Sequence, residues 1–172
     1  MNEMTPTTAG AITFDQVQAF LHAEARALDD RQWDDWLTFY HPDCRFWMPA
    51  WDDFDTLTED PQNEMSLIYY PDRSGIEDRV FRIKTDRSSA TSLPEPRTNH
   101  NLSNIEIIER TSDSLKLRFN WLTLSFRYGE TDQHWGTSYY TLDLTGPRPL
   151  IRDKKVVLKN DRIHHVIDVY HI

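Results

Sequence analysis

The sequence predicts an α+β fold in which about three helices from the first half pack in the concave face of a curved, mostly antiparallel mixed sheet. Two observations predict it. The first half of the 172-residue chain carries apolar residues at helical spacing. The second half, from Arg97 onward, carries long runs of strand-forming residues separated by turn residues. A one-sided sheet of long strands curls around its helices. It leaves an open mouth and a large outer surface. Function then belongs either to an active site in the mouth or to an interface outside.

The elements follow in order. Residues 13–29 form the first helix: Thr13 and Gln16 spell a capping box, and Phe14, Val17, Phe20, Leu21, Ala25 and Leu28 make one apolar stripe. Residues 32–40 form a shorter helix with Trp33, Trp36, Leu37 and Tyr40 on one side, stopped at His41-Pro42. Residues 44–48 and 65–70 read as short strands, joined by an acidic loop that carries Trp51 and Phe54. Ser74 and Glu77 spell a second capping box ahead of a helix over 75–85, with Ile76, Val80 and Ile83 inward and Arg79, Arg82 and Arg87 off that stripe.

Five strands follow, over 98–110, 114–128, 133–145, 150–158 and 162–172, with turns at Asp113, Gly129-Glu130, Gly146-Pro147 and Asn160-Asp161. In the second of these, Leu115, Leu117, Phe119 and Trp121 take odd positions, whereas Leu122, Leu124, Phe126 and Tyr128 take even ones. A one-residue slip turns every side chain over, so the pattern predicts a bulge or bend near residues 120–122. The last strand is apolar on both faces, which predicts cover from inside the fold or from another chain.

Composition narrows the function. Lys plus Arg number 19 and Asp plus Glu 28, a formal charge of 19 − 28 = −9, which argues against nucleic acid or an anionic membrane surface as a partner. Five glycines offer no phosphate-cradling loop. Cys44 is the sole cysteine, so this chain can hold neither an internal disulfide nor the two cysteines of a Rieske cluster, and a cytoplasmic location fits. No apolar run is long enough to span a membrane. Residues 1–12 read as a loose tail without signal-peptide character, and residues 13–172 as one domain. Six Trp and 12 % aromatics are a heavy load for one domain and point to surface aromatics used in assembly.

Chemistry-bearing patterns are weak. His41-x-Asp43 has the spelling of two metal ligands but sits where a helix meets a proline. His165 and His171 share a strand face at roughly 20 Å, too far apart for one ion. Cys44 reads as a buried structural thiol. Asp34, Asp35, Asp52 and His100 are conceivable acids or bases, but no spacing selects them. The basic cluster Arg73, Arg79, Arg82, Lys84 and Arg87 reads either as a solvated helix face with local ion pairs or as a surface for a partner's carboxylates.

Several stretches together carry a resemblance. They are Phe46-Trp47-Met48-Pro49-Ala50-Trp51-Asp52-Asp53, the run from Arg73-Ser74-Gly75-Ile76-Glu77-Asp78-Arg79 to Thr85, His100-Asn101-Leu102-Ser103-Asn104, Phe119-Asn120-Trp121 with Leu124-Ser125-Phe126-Arg127-Tyr128, and Lys154-Lys155-Val156-Val157-Leu158-Lys159-Asn160-Asp161. Over residues 14–172 the chain resembles the small (β) subunit of aromatic-ring-hydroxylating dioxygenases, in the benzoate and toluate 1,2-dioxygenase branch. The resemblance implies a cone-like fold of the nuclear transport factor 2 and scytalone dehydratase type, with no catalytic, metal-binding or cofactor-binding residue in this chain. It places the Rieske 2Fe-2S cluster and the mononuclear iron in a separate large α subunit, with electrons from an NADH reductase and an assembly of three α and three β chains. The expected contribution is structural, with Trp47, Trp51, Phe54, Arg73, Arg79, Arg82, Tyr170 and Ile172 as the expected interface. The rival reading is a stand-alone isomerase or dehydratase with an acid–base residue in the mouth of the cone.

Overall fold

The computed structural model describes residues 12–85, 94–164 and 166–172. The expected tail falls almost wholly outside these residues, as do Arg87 and His165. Three α-helices precede or interleave with the first strands: α1 (Phe14–Asp29), α2 (Trp33–Leu37) and α3 (Arg73–Lys84). The strands are β1 (Tyr40–Pro49), β2 (Ser66–Tyr70), β3 (Arg97–Arg110), β4 (Ser114–Arg127), β5 (Glu130–Asp143) and β6 (Leu150–Leu158). They form one mixed sheet in the order β2-β1-β6-β5-β4-β3, with only the β1–β6 pair parallel.

The first helix starts as its residues dictate. The Thr13 hydroxyl accepts from the Gln16 N–H at 3.3 Å, and the Gln16 side chain accepts from the Thr13 N–H at 2.8 Å. Val17, Leu21, Ala25 and Leu28 bury its stripe. The second helix is shorter than its spacing predicts, because Tyr40 already belongs to β1. Pro42 is tolerated within that strand because the β1–β6 ladder is interrupted between Tyr40 and Arg45.

The capping box expected at Ser74 does not form. Asp72 is the N-cap of α3 and accepts from the Ser74 N–H at 2.8 Å, while Glu77 pairs with Arg73 at 2.7 Å. Asp72 wins because its carboxylate satisfies the exposed N–H groups of a helix that starts two residues earlier. Ile76, Val80 and Ile83 face inward, as the stripe predicts.

Two strand expectations need correction. Strand β4 keeps a single phase throughout: Leu115, Leu117, Phe119, Trp121, Thr123 and Ser125 are all buried. Its ladder with β5 is unbroken from Ser114 to Arg127. The even-numbered apolar residues therefore point to the outer face. The slip lies one strand over, in β3, where the register jumps between Ser103 and Glu106 and Asn104 takes a left-handed φ of 51°.

The strand expected over residues 162–172 is also not formed among the described residues. A single 3₁₀ turn, Val169–His171, is capped by the Asp168 side chain and packs Val169, Tyr170 and Ile172 into the core. The reason is topological. Strand β6 is flanked by β1 and β5, so the segment after it finds no free edge beside it. Close strand approach also fixes one glycine: a Cβ at Gly136 would sit 1.9 Å from the Val157 carbonyl oxygen.

Candidate functional sites inside and outside the sheet

The inner face of the sheet is filled by this chain's own side chains. Trp36, Tyr40, Phe46, Phe119 and Tyr140 are buried there, with Phe119 and Tyr140 edge to face at 4.9 Å. In their midst lies a buried polar network that sequence reasoning missed. Glu24 Oε1 accepts from Tyr40 Oη at 2.6 Å, Trp36 Nε1 at 2.9 Å and Lys154 Nζ at 3.2 Å. Burial pushes the Glu24 carboxyl up, but the Lys154 charge and these hydrogen bonds prevail and hold it below its usual value. Burial and the Glu24 charge drive Tyr40 and Tyr140 well above the ordinary phenol range. The Lys154 ammonium lies 5.0 Å from the Phe46 ring centre and 5.2 Å from that of Tyr140. The signal was present: Glu24 falls among buried positions of the first helix, and Lys154 follows the buried Ile151 in β6.

Such a network is a structural pairing. Its charges neutralise each other, and its donors and acceptors are spent on each other. It offers no room for a substrate and no free proton carrier. Breaking one half would leave an uncompensated buried charge.

The residues singled out from sequence are scattered. Cys44 is a buried residue of β1, and burial pushes its thiol up to about 12, far from a nucleophilic thiolate. The His41 Nδ1 accepts from the Asp43 N–H at 3.1 Å, and Asp34 pairs with Lys84 at 2.8 Å. Asp52 accepts from the Phe54 and Thr56 N–H groups and shapes its loop. His100 Nδ1 lies 2.6 Å from Asp29. Among the described residues, no group of three or more His, Cys, Asp or Glu is placed to hold a metal ion.

The eight expected interface residues divide. Trp47, Tyr170 and Ile172 are buried within this chain, and Trp47 donates to Ser66 Oγ at 3.0 Å. They cannot be major contact residues as the chain stands, because their surface is already spent. Arg79 is committed too: its guanidinium forks onto Asp168, with Nε at 2.7 Å from Oδ1, and so anchors the last turn to α3. Arg73 reaches Glu77 and the Tyr40 carbonyl. Trp51 donates to the Leu158 carbonyl at 2.6 Å and stays half-buried. Phe54 is 87 % exposed, and Arg82 pairs with its helix neighbour Asp78. The local ion pairs thus account for the described arginines of α3.

A further group of exposed apolar residues lies on the outer face of β4 and β5. Leu124, Phe126, Trp135 and Tyr139 show there, with Tyr128 at the hairpin between them. The signal was in the sequence. The even-numbered apolar residues of β4 mark a strand with two apolar faces, not a shifted register.

Residues 23–165 match the family model described as the ring hydroxylating beta subunit. This chain belongs to that family. It is 59 % identical over 161 residues to the toluate 1,2-dioxygenase subunit beta of Pseudomonas putida, covering 94 % of this chain and 99 % of that one. It superposes with a TM-score of 0.81 on the crystal structure of the benzoate 1,2-dioxygenase beta subunit from Burkholderia mallei, at 50 % identity, covering 95 % and 99 %. A structure of the scytalone dehydratase class from Novosphingobium aromaticivorans superposes with a TM-score of 0.62 at 11 % identity, covering 88 % and 89 %, which bears on the fold alone. The cone-like architecture that the resemblance implied is thus the architecture found.

Proposed function

We propose that this chain is the non-catalytic small subunit of a cytoplasmic aromatic-ring dioxygenase acting on benzoate-type substrates, and that it works by holding large subunits in place. The Rieske cluster and the mononuclear iron belong to the large subunit on this reading, an NADH-dependent reductase supplies electrons, and three large and three small chains make the complex. The small subunit contributes geometry. It fixes neighbouring large subunits so that the cluster of one lies near the iron of the next. The product is a cis-dihydrodiol formed with both atoms of O₂.

One contrast carries this reading: the charged groups at the centre of the interior are paired with each other, whereas the outer sheet face leaves large apolar side chains exposed. Trp135 is 44 % exposed on the outer sheet face, and no described element covers it. Exposed aromatics of this kind characterise interface centres. The proposed contact surface combines the Trp51–Phe54 loop and Arg82 with the outer row of β4 and β5. The isomerase or dehydratase reading is not favoured, since the buried carboxylate of the interior is already neutralised by Lys154.

The test is assembly. Trp135→Ala with Tyr139→Ala, and separately Phe54→Ala, should leave the chain's own melting temperature within about 2–4 °C. Co-expressed with the large subunit, at least the outer-face pair should fail to elute as the full-size complex at submicromolar concentration. Full-size complexes from both variants would remove the proposed surface.

A further inference from the structure

The inner face carries a second polar site, near the mouth end of β3 and β4 and apart from the Glu24–Lys154 network. It begins at the end of α1. Asp29 Oδ2 accepts from the His100 N–H at 3.0 Å, and Oδ1 accepts from Thr98 Oγ1 at 3.0 Å and lies 2.6 Å from His100 Nδ1. Burial raises the Asp29 carboxyl, but the bonds from His100 and Thr98 prevail and lower it. Nδ1 of His100 is taken up by Asp29, and the other ring nitrogen, Nε2, is the one left for a further partner.

That Nε2 is buried and has no hydrogen-bond partner. So are Thr123 Oγ1 and Trp121 Nε1. The His100 side chain is only 3 % exposed, Thr123 is fully buried and Trp121 is 4 % exposed. The ladder pairs His100 directly with Thr123, and Trp121 follows two residues along the same face of β4. Directly opposed residues on one sheet face have Cβ atoms about 4.5–5.5 Å apart. Three orphaned polar atoms in one small area are costly, at about 1–3 kcal/mol each. Native interiors resolve such clusters with buried water that makes two to four hydrogen bonds.

We propose that His100, Thr123 and Trp121 form an internal water site, in which one or two ordered water molecules bridge α1, β3 and β4 through the Asp29–His100 pair. The chemistry is complementary. Trp121 Nε1 donates a hydrogen bond to water, while His100 Nε2 and the Thr123 hydroxyl exchange hydrogen bonds with it. Ser125, the next inward residue of β4, is buried and lines an open groove of about 690 Å³ with Tyr170 and His171. The site ties the end of α1 to β3.

The test is a crystal structure of the full chain at about 1.5 Å, together with the melting temperatures of Thr123→Val and Thr123→Ser. Density within hydrogen-bond distance of both His100 Nε2 and Thr123 Oγ1 is expected. Thr123→Val, which keeps the shape but removes the hydroxyl, should then melt about 2–4 °C lower, and Thr123→Ser should keep the water. A direct bond between His100 Nε2 and Thr123 Oγ1 would overturn the proposal, as would an empty site or a Thr123→Val chain at least as stable as the parent.

Discussion

Tyr128 holds a left-handed backbone, with φ at 55°, beside Gly129 at 84°. Two such residues between paired Arg127 and Glu130 make the tight hairpin turn whose twist matches the strands. Glycine adopts this conformation freely, whereas tyrosine is strained by about 1–2 kcal/mol. The Tyr128 ring is 66 % exposed, with the Arg127 guanidinium 4.6 Å from its centre. A bulky residue kept in a strained, exposed place has a use outside the isolated chain. Tyr128→Asn should therefore raise the melting temperature of the isolated chain by about 2–4 °C and weaken the complex with the large subunit. Calorimetry of the chain and gel filtration of the complex check the two halves. The turn itself was legible from Gly129, but its position was one residue off, because nothing in the sequence announces a left-handed tyrosine.

At the scale of elements, the link between α1 and β3 has a definite pH signature. A carboxylate at a helix C-terminus opposes the helix dipole, yet Asp29 ends α1 and is held by Thr98 and His100 of β3. Its pKa is lowered from 3.8 in the folded chain. Stability from such a group is fully present above the unfolded value and disappears as pH falls through the folded one. Asp29→Asn should thus lower stability at pH 7 by about 1–2 kcal/mol, and the difference from the parent should shrink below pH 4. Urea unfolding at both pH values measures it.

The elements also show what sequence periodicity resolves. The stripe Val17, Leu21, Ala25 and Leu28 needs only local spacing, so the first helix was plain. The end of α2 and the fate of residues 162–172 depend on which strand edges are free, a property of the assembled sheet. Likewise, β4 reads as a broken alternation until the outer face is seen to be apolar. Of the candidate site, the arginines were legible as residues but not as contacts, since Arg79 is claimed by Asp168 from a segment 89 positions away.

For the whole molecule, the contrast is between a central network that pairs its own charges and an exterior that leaves apolar side chains exposed. Glu24, Lys154 and the surrounding aromatic rings occupy the place where a cone-shaped enzyme would keep its substrate. The outer row from Leu124 to Tyr139 exposes the residues that would stabilise an assembly. The chain belongs to the ring hydroxylating beta subunit family and is 59 % identical to a toluate dioxygenase subunit. The central claim is that this chain contributes shape and no chemistry. The most direct measurement compares the purified chain alone with the same chain co-purified with the large subunit, assaying iron content and benzoate conversion with reductase and NADH. The account predicts iron and dihydrodiol formation only in the complex, with both subunits in equal amount. Substrate turnover or stoichiometric iron in the chain alone would contradict it.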